Sequence, residues 1–139
     1  MAPAKLQLHV VSPEKSLVDE AVDEVQIPGA DGYFGVLPGH TPLLAALGAG
    51  ELSYRAGQET RYYAIFYGFA EVQPDRVIVL ARIAESAEEI DIERARAAQK
   101  RAEERMAKPS VDIDAELARV ALLKSLVRLQ VASRARIRT

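Results

Sequence analysis

Cysteine is absent from this 139-residue chain, so disulfides, thiol catalysis and cysteine-held metal are all excluded. Glycine and aromatic side chains run out early: the 8 glycines, 5 tyrosines and 3 phenylalanines all precede residue 70. Beyond Glu88, Pro109 is the lone helix breaker, and the composition shifts to Ala, Arg, Glu, Leu and Lys. Acidic residues stop later still. From Leu117 to the end there is none, against six basic residues, Arg119, Lys124, Arg128, Arg134, Arg136 and Arg138. Long hydrophobic runs are missing too. The longest stretch without a charge, Gly32 to Gly50, holds five glycines, Pro38, Pro42 and His40, so it is not expected to be a membrane-spanning helix. Met1-Ala2-Pro3 leads straight into an alternating segment, so no signal peptide is expected.

These absences divide the chain into two differently built parts, residues 1–87 and 88–139. The first carries 6 Lys/Arg against 11 Asp/Glu, the second 12 against 9, so a nearly balanced net charge of −2 hides an acidic and a basic part. With 49% hydrophobic and 27% charged residues, the whole is an ordinary globular composition. The acid-free tail has two readings. It is a solvated helix end, where cations suit the negative dipole terminus, or a strip that docks on an acidic surface or a phosphate.

In the first part Leu6, Leu8 and Val10 alternate with Gln7 and His9, and Val25 and Ile27 with Glu24 and Gln26, as half-buried strands do. A loop is expected from Asp31 to His40, then an apolar segment Leu43–Leu47 closed by Gly48-Ala49-Gly50. Leu52 and Tyr54 alternate before Gly57, and the chain returns from Arg61 to Tyr67. Gly68 is expected at a bulge or tight bend, and Val77–Ala81 is a further apolar strand. Short strands separated by frequent turns argue for a sandwich or flattened barrel.

The second part opens twice with the same pattern, Ile90-Asp91-Ile92-Glu93-Arg94-Ala95 and Ile113-Asp114-Ala115-Glu116-Leu117-Ala118. Each places an Asp at a helix N-cap and acid in the first turn. With Lys108-Pro109-Ser110 between them, the helices form an antiparallel hairpin, roughly 25 and 35 Å long at about 1.5 Å per residue. Ile92, Ala95, Ala102 and Met106 make a seam of small apolar residues on the first helix. The second helix is apolar almost all round, so one partner cannot cover it; it faces the β part, another subunit, or each in turn.

Chemistry is scarce. His9 and His40 lack a carboxylate pattern of metal-site type, the glycines near residue 35 lack the Gly-Lys-Ser/Thr ending of a phosphate loop, and no serine sits in a nucleophile elbow. His40 reads as a residue that structures a loop or makes a contact. Asp91, Arg94, Ala98, Arg101 and Arg105 share one helix face, which is either a solvated surface or a grip for a triphosphate. Nucleic acid is not an expected partner, because the acidic first part repels it and the helices carry no aromatics for base stacking.

Several segments together are similar to one family. Asp31-Gly32-x-Phe34-Gly35-Val36-Leu37-Pro38-Gly39-His40-Thr41-Pro42-Leu43-Leu44 resembles the signature loop of the ε subunit of bacterial F-type ATP synthase. Gly68-Phe69-x-Glu71-Val72 and Val77-x-Val79-Leu80-Ala81 resemble its later strands, and Ile90-Asp91-x-x-Arg94-Ala95 the start of its C-terminal hairpin. The resemblance spans nearly the whole chain in order. It implies an all-β N-terminal sandwich of about ten strands, then an antiparallel α-helical hairpin. It also implies a non-catalytic rotor subunit of the central stalk, peripheral at the cytoplasmic face of the plasma membrane.

The implied partners are the γ subunit, the c-ring and the α/β catalytic hexamer, with no membrane span of its own. The loop carrying Tyr33, Phe34, Leu37, Pro38, Gly39 and His40 would contact the c-ring and γ, and Arg119, Lys124 and Arg128 the β subunits. The hairpin, by changing place, would restrain ATP hydrolysis. No cofactor is required; ATP enters as a regulatory ligand, held through Ile90, Asp91, Arg94, Ala95, Arg101 and Arg128. The alternative role is an ATP-sensing module whose hairpin closes on nucleotide. Lys124 stands where the strongest ATP binders of the family carry another Arg, and Tyr33 where some relatives carry an acid.

Overall fold

A computed structural model describes residues 3–108 and 112–137. The chain divides into two compact units, Met1–Ser86 and Ala87–Thr139.

The first unit contains seven strands: β1 Leu6–Val11, β2 Ser16–Val22, β3 Glu24–Gly29, β4 Gly32–Val36, β5 Leu43–Ala56, β6 Glu59–Val72 and β7 Arg76–Ser86. They are hydrogen-bonded in the order β2-β1-β7-β6-β5-β3-β4, all antiparallel except β1 with β7. Alternation sends one side of each strand inward, so Leu6, Leu8, Val10, Val25, Ile27, Ile65, Val72, Val77 and Val79 form a closed apolar core. The sheet folds over on itself as a sandwich. Tyr54 of β5 donates its hydroxyl to the Glu20 carboxylate on β2, which is not its neighbour in the strand order. Tyr54 also stacks on Tyr63, with ring centroids 6.1 Å apart. Burial and the Glu20 charge push the Tyr54 hydroxyl far above its usual range, so it remains a donor.

Seven strands are observed where the resemblance implies about ten, and three local features depart from the sequence reading. β5 and β6 are 14 residues each, and β5 runs straight through Gly48-Ala49-Gly50, where the sequence suggested a stop. Gly32–Val36, expected as loop, is an edge strand paired with β3. β2 escapes a pattern search because Asp19 and Glu20 sit side by side and only Val18 and Val22 are buried. The order ends at β2 and β4 and does not close into a barrel.

Gly68 is a tight bend. Its φ is 122° and that of Tyr67 is 63°. Pairing with β7 keeps one register across it, Phe66 opposite Ile83 and Gly68 opposite Ala81, so no residue is inserted as a bulge would require. A Cβ there would stand 2.0 Å from the Leu80 carbonyl oxygen, so only glycine fits.

The second unit opens with a 3-10 turn, Ala87–Glu89, followed by helices α1, Ile92–Met106, and α2, Asp112–Ile137. Their lengths are about 22 and 39 Å at ~1.5 Å per residue. They form a helical hairpin in which the end of α1 and the start of α2 share a shallow cleft lined by Met106, Ala115, Glu116 and Arg119. Ala95 and Ala102 of α1 are buried, as are Ala118, Ser125 and Ala132 of α2, each set spaced by seven. Small side chains at every seventh position keep one face in register along two turns and let helix axes approach closely. The expected seam is therefore half right. Ala95 and Ala102 lie in it, Ile92 is half-buried, and Met106 is 45% exposed. Asp114 does not cap α2, because the helix has already begun at Asp112. Pro109, Ser110 and Arg138 lie outside the described residues.

Candidate functional site

The segment following β4 is a fastened loop. The His40 amide donates to the Leu37 carbonyl at 3.1 Å, closing a tight turn with Gly39 at φ 90°. The Gly39 amide donates to the Pro74 carbonyl at 2.7 Å, tying that turn to the β6–β7 connection. His40 Nδ1 lies 2.6 Å from the Thr41 carbonyl oxygen, so the ring braces the loop. Pro38 and His40 are half-buried, Phe34 packs against the core, and Leu37, Leu44 and Tyr33 stand out at 58%, 70% and 60% exposure. The loop, fastened at both turns, thus holds apolar side chains out to solvent. His9 instead sits beside Asp19 on β2, its Nδ1 3.3 Å from the carboxylate, with Gln7 Nε2 donating to the same oxygen at 2.8 Å.

A second surface was not anticipated. Val11, Leu80, Phe69 and Ala46 face one another across β1, β7, β6 and β5. Leu80 is 55% exposed and Phe69 57%, and both border a cleft of about 390 Å³ with Val11, Pro13 and Arg82. The strand period carries this signal only once the core face is known. Ala70, Val79 and Ala81 are core residues, so Phe69 and Leu80 between them must point outward.

In the helical unit Asp91 is the N-cap of α1, its Oδ1 accepting from the Arg94 amide at 3.0 Å. That carboxylate therefore serves its own helix. Ile90 and Ala95 are buried, Arg94 and Arg101 are exposed two turns apart on one face, and Arg128 is half-buried on α2. Lys124 and Arg128 lie one turn apart on α2, whereas Arg119 projects from nearly the opposite side. Arg119 is also paired with Glu116, its Nη2 donating to Oε1 at 2.7 Å. Arg119, Lys124 and Arg128 thus do not share one face of α2.

Among the described residues no three His, Asp or Glu side chains converge as a metal site would require, and no helix is long and apolar enough to cross a membrane. What the molecule presents is a β-sandwich carrying two exposed apolar surfaces, followed by a helical hairpin with a small-residue seam. That is the architecture of a subunit built to join an assembly.

The family described as ATP synthase, Delta/Epsilon chain, matches throughout: its beta-sandwich domain over residues 5–87 and its long alpha-helix domain over residues 88–133. The chain belongs to this family. It is 47% identical over 132 residues to the ATP synthase epsilon chain of Solibacter usitatus, covering 95% of this chain and 98% of that one. It is 48% identical over 130 residues to the epsilon chain of Syntrophobacter fumaroxidans, covering 94% and 97%. Among solved structures it resembles a chain of the Euglena gracilis mitochondrial ATP synthase OSCP/F1/c-ring assembly. The TM-score there is 0.82 at 28% identity, covering 94% of this chain and 82% of that one. A chain of the Tetrahymena thermophila mitochondrial ATP synthase central stalk/c-ring shares the fold, with TM-score 0.58 at 13% identity and coverage of 96% and 98%.

Proposed function

We propose that this chain is the non-catalytic ε subunit of a bacterial F-type ATP synthase. In this reading it joins γ to the c-ring within the rotor and restrains ATP hydrolysis through its helical hairpin. The observation that carries the reading is the division of labour between the two units. The sandwich has a large-residue core and displays Tyr33, Leu37 and Leu44 beside a fastened loop, with Phe69 and Leu80 in a separate apolar row. The hairpin is joined by a small-residue seam, yet leaves Leu117, Leu123 and Leu126 at 57%, 44% and 44% exposure. A seam of alanines buries little area per residue, so separating the helices costs little, and the exposed leucines are available to another subunit.

The loop Tyr33–His40 meets the c-ring, and the row of Val11, Phe69 and Leu80 is the surface left for γ. Lys124 and Arg128 on one side of α2 and Arg119 on the other meet acidic surface on the β subunits of the α/β hexamer. The chain then works as a peripheral protein on the cytoplasmic face of the plasma membrane. Added to a catalytic complex lacking its own ε chain, the protein is expected to copurify with γ and to lower the rate of ATP hydrolysis. Failure to copurify with γ would remove the reading. Phe69→Glu with Leu80→Lys should abolish copurification while leaving the fold intact by circular dichroism.

ATP as a regulatory ligand is favoured by one observation, the pair of exposed guanidinium groups at Arg94 and Arg101 on one face of α1. With Ile90 and Ala95 packed beneath and Arg128 across on α2, this face grips the phosphates while Asp91 holds the helix start. Lys124 contributes a point charge instead of a planar fork. Calorimetry with ATP on the isolated chain, set against Arg94→Ala, tests it. Heat with the native chain and none with the variant is expected, and no heat at millimolar ATP overturns it.

A further inference from the structure

β4 is a five-residue edge strand, held by main-chain bonds to β3 alone, and the contact loop runs on from its end. Such a strand is a poor anchor by itself. β3 in turn pairs irregularly with β5. Gln26 faces Ser53 but Gly29 faces Leu47, so β5 spends six residues where β3 spends three. Pro28 lies in this gap and has no amide to give. The Tyr33 side chain reaches across it. Its Oη accepts from the Glu51 amide of β5 at 2.9 Å, and its ring lies over Gly50. A Cβ on Gly50 would stand 2.5 Å from Tyr33 Oη and 2.7 Å from Pro28 Cβ, so the backbone of β5 is hollowed to seat this ring. Gly50 is buried, whereas Tyr33 is 60% exposed.

From this juxtaposition we infer that Tyr33 is a positioning residue for the contact loop. It bolts β4 to β5 over the seat at Gly50 and so fixes the place from which Val36–Thr41 departs. The Gly39 amide on the Pro74 carbonyl fixes the loop's far side, and together the two ties hold Leu37 and His40 as one preformed surface. A tyrosine suits the task because a planar ring loses little rotamer freedom and its hydroxyl supplies an acceptor where the strand pairing shifts. The inference rests on the c-ring reading for its consequence, but its mechanism can be read on the isolated chain.

The test has two arms. In the full-length protein, amide hydrogen exchange at Glu51 should speed up on the order of five- to tenfold in Tyr33→Phe, which keeps the ring and loses the acceptor. In assembled complexes, Tyr33→Phe and Gly50→Ala should weaken retention on the c-ring by similar factors and leave copurification with γ unchanged. Gly50 is buried and cannot touch a partner, so its effect separates positioning from contact; should Gly50→Ala fail to fold, Tyr33→Phe decides alone. Native exchange at Glu51 in Tyr33→Phe overturns the inference. So does full c-ring retention by Tyr33→Phe alongside its loss in Tyr33→Ala, which marks the ring as a contact only, with no positioning through the Glu51 tie. If the native chain itself is not retained by the c-ring, the functional reading fails, and the exchange arm still reports on the tie.

Discussion

The two units of this molecule are held together by different means. In the sandwich the fully buried side chains are large, among them Leu6, Leu8, Ile27, Leu52 and Ile65. In the hairpin most are small, Ala95, Ala102, Ala118, Ser125 and Ala132, with Val131 the one larger side chain fully buried on α2. A large aliphatic side chain gains about 1.5–3 kcal/mol on full burial, and an alanine methyl only a fraction of that. The sandwich is therefore the more firmly packed of the two units. The hairpin gains its closeness from backbone approach and keeps Leu117, Leu123 and Leu126 outside. Under the proposed function, a subunit that stays attached while one element changes partner needs this difference.

The comparison is tested most severely in the sandwich core. Ile65→Ala should cost about 2–5 kcal/mol by urea denaturation, because a cavity opens in a closed core. The matching truncation of an exposed hairpin residue, Leu117→Ala, should stay within about 0.5 kcal/mol. Equal losses at the two sites would end the contrast. Enlarging the seam is the reverse experiment. Ala102→Leu should destabilise the hairpin by about 1–3 kcal/mol, seen as lost helical ellipticity while the sandwich tyrosine signals persist.

Capping is a smaller matter. Asp91→Ala removes the acceptor for the Arg94 amide and should cost the first turn of α1 about 1 kcal/mol, with Asp91→Asn largely native.

The smallest effect expected is electrostatic. Asp23 accepts from Lys5, from the Gly57 amide at 2.7 Å and from Arg55 at 3.3 Å, joining the β2–β3 corner to the β5–β6 turn. The Lys5 and Gly57 hydrogen bonds hold its carboxyl below the usual carboxylate value. A carboxylate with a lowered folded-state pKa adds stability that is present above its unfolded value and lost as pH falls through the folded one. The gap in melting temperature between the native chain and Asp23→Asn should accordingly be full at neutral pH and close below about pH 4.

Much of this was legible in the residues because periodicity reports burial directly. Leu6, Leu8 and Val10 announce β1, and Asp91 announces the start of α1. What escaped did so for physical reasons. Glycine in a strand looks like a stop when it is a seat, as at Gly50 under Tyr33. A helix start is misplaced when an Asp stands two residues inside it, as at Asp114. The outward row of Leu80 and Phe69 was hidden because an apolar strand reads as core from both faces until its pairing is known. Side-chain ties such as Tyr33 with Glu51 join residues 18 apart and leave no local trace.

The central claim, that the sandwich attaches and the hairpin restrains, is tested most directly by cutting between the units. A chain ending at Glu88 should bind γ as the full chain does, and a catalytic complex carrying it should hydrolyse ATP at nearly the uninhibited rate. Inhibition by the shortened chain equal to that by the whole protein would contradict the account.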